Sequence, residues 1–293
     1  MENLAWLRAR LFSAHGTEIS DKIWRGYEAA RPVTLRVNLL KSDIQNVTES
    51  LSGLGISFRS VDWYDSALII ENAREPELMQ TALFQKGEIY LQSLSSMLPP
   101  LYMEPYADEN ILDMTAAPGG KTTQMSALSG GRAFITACER DSVRAERLRY
   151  NVEKQGASRV TVLTTDSAKL DDFFKFDKIL LDAPCSGSGT IYLTRPAKIS
   201  EKLIKNSSVL QKKLLAKALK LLKKGGTLVY STCSVLPCEN EEILEPFLKS
   251  GEAEFLPIQP FSDLPIIPSK TGTICVCPDE LFEGFFVAKI KKL

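Results

Sequence analysis

The chain has 293 residues, 44% hydrophobic and 25% charged, with 17 Gly and 15 Pro, which excludes disorder and collagen-like repetition and allows one large or two modest domains. Its 36 basic and 36 acidic side chains cancel, so any nucleic-acid surface has to be a local patch. The opening MENLAWLRARLFSAHG has no apolar export core and no run of 18 apolar residues occurs, so a cytoplasmic protein with six reduced cysteines is expected.

Leu4, Leu7 and Leu11, then Ile19, Ile23 and Tyr27, recur at helical spacing and predict two short amphipathic helices in the first thirty residues. RPVTLRVNLL reads as a strand, followed by a helical stretch from about Ser42, a turn at Gly53 and Gly55, and the strands ISFRSV and SALIIEN. This order fits a small α+β module over residues 1–105, with Pro99, Pro100 and Pro105 marking its end. From Asn110 apolar runs (ILDM, AFITAC, VTVLT, KILLDA, GTLVYS) alternate with helical segments such as 141–155 and 203–222. That is the pattern of a doubly wound α/β domain over 106–293 whose mostly parallel sheet is covered on both faces. The closing GFFVAKI reads as a last strand, antiparallel at or near the sheet edge.

Ligands of such a sheet bind beyond the carboxyl ends of the strands. The first loop, Asp113-Met-Thr-Ala-Ala-Pro-Gly-Gly-Lys-Thr122, has Thr115 where a phosphate loop needs Gly, and lacks the dinucleotide glycine spacing. What remains is a glycine pair, Gly119-Gly120, that lets backbone approach a ligand just before a helix N-terminus, or else a tight turn. Glu139 ends the second strand, placed for ribose hydroxyls, and Asp166 follows the third, placed for an adenine edge. Each alone reads as a helix cap. Together they outline a nucleoside pocket, and without pyrophosphate signatures S-adenosyl-L-methionine is the occupant expected.

Cys185 and Cys233 follow the fourth and fifth strands and should meet at one rim. Zinc is disfavoured, because four ligands at usual spacing are missing and Cys275 and Cys277 are too close-set. The one histidine, His15, lies in a polar stretch and reads as a surface residue, so no metal site or His-based triad is expected. A thiol beside a methyl donor can add to C6 of a cytosine, making C5 nucleophilic, and a second group must then take the C5 proton. Asp182 can hydrogen-bond the N3/N4 edge of the base, while Lys121 can hold the pocket and lower a thiol pKa.

The blocks DMTAAPGGKTTQ, LLDAPCSGSGT and LVYSTCSVLPCENEE resemble the signatures of the RNA cytosine-C5 methyltransferases of the Nop/Sun (RsmB/NOP) family. TLRVNLLKS, YLQSLSSMLPP and FEGFFVAKIKK extend the resemblance over nearly the whole chain. It implies a class I, Rossmann-like methyltransferase fold behind a small RRM-like RNA-binding module. It also implies that Cys233 is the nucleophile, Cys185 serves product release and Asp182 contacts the target base. S-adenosylmethionine is then cradled by Thr115, Ala116, Ala117, Pro118, Gly119, Gly120 and Lys121, with Asp182 close by, Glu139 at the ribose and Asp166 toward the adenine. DNA cytosine-C5 methyltransferases use a Pro-Cys block, here Cys185; both blocks together favour RNA. Residue types alone do not choose between ribosomal and transfer RNA, and ribosomal RNA is the expectation. Thr115 and Cys238 depart from the family pattern, and TICVCPDE and TIYLTRPAKIS match it loosely.

Residues 195–224 carry ten Lys or Arg against one Glu, read either as a phosphate-binding strip or as the solvated face of a helix buried through Leu203, Leu210, Leu214 and Leu221. Other readings stay open: a methyltransferase of a non-RNA substrate, or a catalytically silent RNA-binding assembly factor. No membrane and no obligate protein partner is signalled.

Overall fold

A computed structural model describes residues 4–195, 198–269 and 272–293; Pro196 and Ala197, within the basic strip, lie outside the described residues. Helix α1 (Ala5–Glu28) is broken at Gly16, whose φ of 75° only glycine adopts readily, so it is two helices meeting at a kink. Leu7, Leu11, Ile23 and Tyr27 are buried on its inner face, as their spacing requires. They pack with the core of the large sheet, among residues such as Ile204, Leu215 and Leu236, and not with the small module to which the first thirty residues were expected to belong.

The small module follows. Strand β1 (Val33–Val37), helix α2 (Ile44–Gly53), strands β2 (Phe58–Ser60) and β3 (Ala67–Ile70), one-turn helices α3 (Glu75–Met79) and α4 (Ala82–Gln85), and strand β4 (Ile89–Leu91) form an antiparallel sheet in the order β2-β3-β1-β4. The Asp43 carboxylate caps α2 by accepting from the Asn46 amide, and Val47 and Leu51 pack on Leu35, Val37 and Leu68. Helices α3 and α4 escape the sequence reading because four or five residues are too few to show a period.

Pro99 and Pro100 do not mark a linker. They lie buried inside helix α5 (Leu94–Met103), whose Leu94, Met97 and Leu98 cluster with Val229 and Val287. A proline inside a helix costs about 3 kcal/mol and frees a carbonyl one turn back. Burial of that apolar face offsets the cost, and the Ser96 carbonyl that Pro100 leaves free accepts from Gln92 Nε2 at 3.1 Å.

The large domain then runs β5 (Asn110–Asp113), α6 (Gly120–Leu128), β6 (Phe134–Glu139), α7 (Ser142–Lys154), β7 (Val160–Thr164), β8 (Phe176–Asp182), α8 (Glu201–Leu221), β9 (Leu222–Thr232), α9 (Glu241–Lys249), β10 (Ala253–Phe255), β11 (Ile266–Ile267), β12 (Ile274–Val276) and β13 (Phe285–Lys292). The sheet order is β11-β12-β13-β9-β8-β5-β6-β7, with β10 also paired to β13. Strands β5 to β9 are parallel; β13 is antiparallel to β9, and two short strands lie beyond it, so it is near the edge but not on it. Winding reverses at β5, which creates a crevice at the carboxyl ends of β5 and β8. Register puts Asp182 opposite Ser231 and Glu139 opposite Thr164, so the polar strand ends share one rim.

Candidate active site

The loop after β5 turns into α6 at Gly119, whose φ is +110°. A Cβ there would approach Leu148 Cδ1 to 3.0 Å, and one on Gly120 would approach the Tyr90 ring to 3.1 Å. The glycine pair therefore makes room for protein, letting α6 start against α7 and β4, and Gly120 also lines a cavity. The loop is held from below: Thr115 Oγ1 donates to the Asp182 carbonyl at 2.7 Å and Thr122 Oγ1 to Asp113 Oδ2 at 2.7 Å. Burial pushes the Asp113 carboxyl up to about 6, a rise that the Thr122 hydroxyl limits.

Lys121, from the first turn of α6, pairs with Asp182 Oδ2 at 2.7 Å, and Ser231 Oγ donates to Asp182 Oδ1 at 2.8 Å. Burial would lower the Lys121 pKa, but Asp182, then Asp113 and Cys233, outweigh it and keep the ammonium charged. Lys121 thus serves Asp182 directly; the structure gives it no bond to either thiol.

Cys185 follows β8 and Cys233 follows β9, and their Sγ atoms stand 3.0 Å apart. The Cys185 thiol is pushed well above its ordinary range, first by its hydrogen bond to Cys233, then by burial and by the charges of Cys233 and Glu239. These causes push Cys185 toward its protonated form. The sequence reading missed what fixes the two loops. Glu239, fully buried, accepts from the Ser186 amide (2.7 Å), Ser186 Oγ (2.5 Å) and Ser234 Oγ (2.7 Å), the residues directly after each cysteine. An acid six residues beyond Cys233, within CENEE, was the available signal. Helix α1 also braces these loops: Tyr27 Oη donates to the Ser188 carbonyl (2.5 Å), Arg10 Nη2 to Cys238 Sγ (3.2 Å), and His15 Nε2 meets the Val235 carbonyl at 2.7 Å. His15 is therefore not a free surface residue; burial lowers its pKa.

Thr115, Ala117, Glu139, Asp166, Asp182, Cys185 and Cys233 line one cavity of about 270 Å3. A second, of about 250 Å3, meets it at Thr115, Ala117 and Asp182 and adds Ala116, Pro118, Gly120 and Lys121 with Tyr90 to Ser93. Gly119 lines neither. Glu139, buried, accepts from the Asp141 amide at 2.9 Å and faces Arg144 at 3.4 Å; Arg144 also donates to the Ala117 carbonyl and was not foreseen. Asp166 caps a 3-10 turn through the Ala168 amide, as the cap reading expects, and also lines the thiol cavity. A larger cavity of about 720 Å3, between α1 and residues 265–268 and 277–280, contains none of these groups. Among the described residues no cluster of His, Cys, Asp and Glu could hold a metal ion, and no helix is long and apolar enough to cross a membrane.

The basic strip divides on α8. Lys217 is taken by Asp172 and the Leu170 carbonyl, and just beyond the helix Lys223 pairs with Asp177, whereas Lys202, Lys205, Lys212 and Lys213 are exposed. The buried face runs through Ile204, Gln211, Leu214, Leu215 and Ala218, so Leu203, expected inside, is 36% exposed, and Leu210 borders the thiol cavity.

Comparison with known proteins agrees with this architecture. Residues 100–291 match the model of the 16S rRNA methyltransferase RsmB/F family, and residues 5–76 that of the ferredoxin-like domain of RsmF/B-like methyltransferases. The chain is 30% identical over 306 residues to the probable ribosomal RNA small subunit methyltransferase B of Bacillus subtilis, covering 98% of this chain and 66% of that protein. It is 34% identical over 299 residues to ribosomal RNA small subunit methyltransferase F of Shewanella woodyi, covering 97% and 62%. It thus spans half to two thirds of the length of these relatives and of the Schizosaccharomyces pombe 25S rRNA (cytosine-C(5))-methyltransferase nop2. A crystal structure of a methyltransferase homologue from Pyrococcus horikoshii superimposes with a TM-score of 0.85 at 35% identity, covering 97% of this chain and 94% of that one. With the family model spanning the parallel sheet and both thiol loops, the chain belongs to the RsmB/F methyltransferase family.

Proposed function

We propose that this protein forms 5-methylcytosine in RNA, ribosomal RNA in preference to transfer RNA, with S-adenosylmethionine as methyl donor. The observation that carries the reading is the pair of thiols 3.0 Å apart, in one cavity with Asp182, Glu139 and Asp166. Ribosomal RNA is favoured because the relatives described above are named as ribosomal RNA methyltransferases.

The donor set suits a nucleoside sulfonium: Glu139 and Asp166 at successive strand ends supply acceptors for ribose and adenine, and the loop from Thr115 to Lys121 closes the methionine side. Bound there, S-adenosylmethionine supplies the electrophilic methyl group that C5 of the cytosine takes. The chain supplies the rest. The sulfur of Cys233, as thiolate when it attacks, adds to C6. Asp182, fixed by Lys121 and Ser231, accepts from the amino edge of the base and orients it. Once Cys233 is a thioether its negative charge is gone, and with it a main cause of the raised Cys185 pKa. Cys185 can then release its proton to solvent and, as thiolate, take the C5 proton, after which the C6–S bond breaks and the Cys233 thiolate returns. A stacked cytosine cannot be attacked at C6, so the base must be flipped out or presented in a loop.

The test is transfer of labelled methyl from S-adenosylmethionine to unmodified ribosomal RNA transcripts, followed by bisulfite mapping. Label in 5-methylcytosine is expected. Transfer to protein or small molecules with RNA absent, or RNA binding without a methyl mark, would replace this reading by one of its rivals.

A further inference from the structure

The second cavity does not end at the small module. It shares Leu91, Gln92 and Ser93 with a third, of about 190 Å3, whose far wall carries Arg31 and Tyr192. A continuous trough therefore leads from the two thiols, past Asp182 and Lys121, across the seam between the small sheet and the large domain. At its outer end the Tyr192 ring has two guanidiniums on it, Arg31 at 5.0 Å and Arg195 at 5.4 Å from the ring centroid. Arg31 is held by the Phe282 and Gly26 carbonyls, yet its Nη1 is buried with no hydrogen-bond partner. Arg195 is exposed and, among the described residues, has no carboxylate partner. Glu75 and Glu283 also line this end; they would repel a phosphate and so confine it to the arginine side.

We propose that a nucleotide flanking the target cytosine occupies the outer end of this trough, its base stacking on Tyr192 while Arg195 and Arg31 hold its phosphate, the stretch beside Thr115 to Lys121 being left to the donor. An aromatic ring beside unpaired guanidiniums is the chemistry that binds single-stranded RNA, every base having a face to stack and every nucleotide a charge. Arg31 is fixed by its carbonyl bonds; Arg195, unpaired, swings off the ring to admit the base. The trough also gives the small module a part in the site, since Leu91 to Ser93 form its floor. This inference rests on the RNA-methylation reading above.

The experiment is filter binding and steady-state kinetics of the full chain with an unmodified small-subunit ribosomal RNA transcript. Tyr192→Ala should raise the KM for transcript and its Kd about tenfold, the loss of one base-on-aromatic stack, and Tyr192→Phe should stay within about twofold of wild type. Arg195→Ala should reduce the slope of log affinity against log salt by about one, as for one lost phosphate contact. The KM for S-adenosylmethionine should stay put in all three. Lys249→Ala, which removes an exposed charge at the end of α9, controls for general loss of positive charge. Transcript affinity within twofold of wild type for Tyr192→Ala, or an equal rise in the donor KM, overturns the trough. If the wild type methylates no RNA, the activity reading falls, and the trough is judged on transcript binding by the same tenfold criterion.

Discussion

The two halves of the rim hold their carboxylates in opposite ways. On the thiol half, Glu239 is sealed from water and satisfied by a main-chain amide and two serine hydroxyls, with no cation bound to it. On the donor half, Asp182 is paired with Lys121, Glu139 faces Arg144, and Asp113 has one oxygen bonded to Thr122 and the other buried without a partner. Neutral donors fix geometry without a cation on Glu239; Cys233, burial and the Glu239 charge push the Cys185 thiol up. Charged partners on the donor half place the Lys121 ammonium beside Asp182 and the Arg144 guanidinium beside Glu139. One half is built for position, the other for charge.

The sharpest way to break that division is to remove its sulfurs. Cys233→Ala should abolish methyl transfer, by at least about three orders of magnitude in a labelled-donor assay, because it removes the sulfur that adds to C6 and leaves only Cys185, placed for the later proton step. Cys185→Ala should instead accumulate a protein–RNA adduct that survives denaturing electrophoresis; finding that adduct with Cys233→Ala would exchange the two roles. Positioning on the thiol half is tested by Glu239→Ala, which strands three buried donors. We expect a loss of about 3–5 kcal/mol in denaturant unfolding, and a smaller loss for Glu239→Gln, which keeps one acceptor oxygen.

Charge on the donor half is tested through Asp113. Its carboxyl titrates near 6 in the folded protein against an ordinary value near 3.8. Between those values the native state binds the proton more tightly than the unfolded chain, so this group favours the fold at low pH and costs stability as pH rises through about 4 to 6. Asp113→Asn should remove the cost, and the variant should gain up to about 3 kcal/mol on the wild type between pH 4 and pH 7. Unfolding curves at both pH values decide it; no change in the difference would mean that Lys121 already neutralises Asp113. Tyr27→Phe gives the smallest effect. It removes one buried hydrogen bond between α1 and the thiol loop, about 1 kcal/mol or a few degrees in Tm.

Much of the fold was legible because its signals are local and long. The five apolar runs from ILDM to GTLVYS became the parallel strands, and the helical periods at 141–155 and 203–222 became α7 and α8. Where signals were short or ambiguous, tertiary packing decided: Pro99 and Pro100 read as a boundary, yet burial of α5 keeps them helical. The candidate site divides the same way. Cys185, Cys233, Asp182, Glu139 and Asp166 were each picked out by standing just after a strand, and all line one cavity.

What the amino-acid sequence determined by itself, then, is the alternation of strand and helix, the reactive residue types, and their place at strand ends, since periodicity and chain position are properties of neighbours along the backbone. It could not decide that Glu239 ties both cysteine loops, that α1 braces the large domain instead of the small sheet, or that Gly120 makes room for Tyr90. Those are contacts between residues distant in the chain, where packing and the need to satisfy buried polar groups choose among partners that local pattern leaves equal.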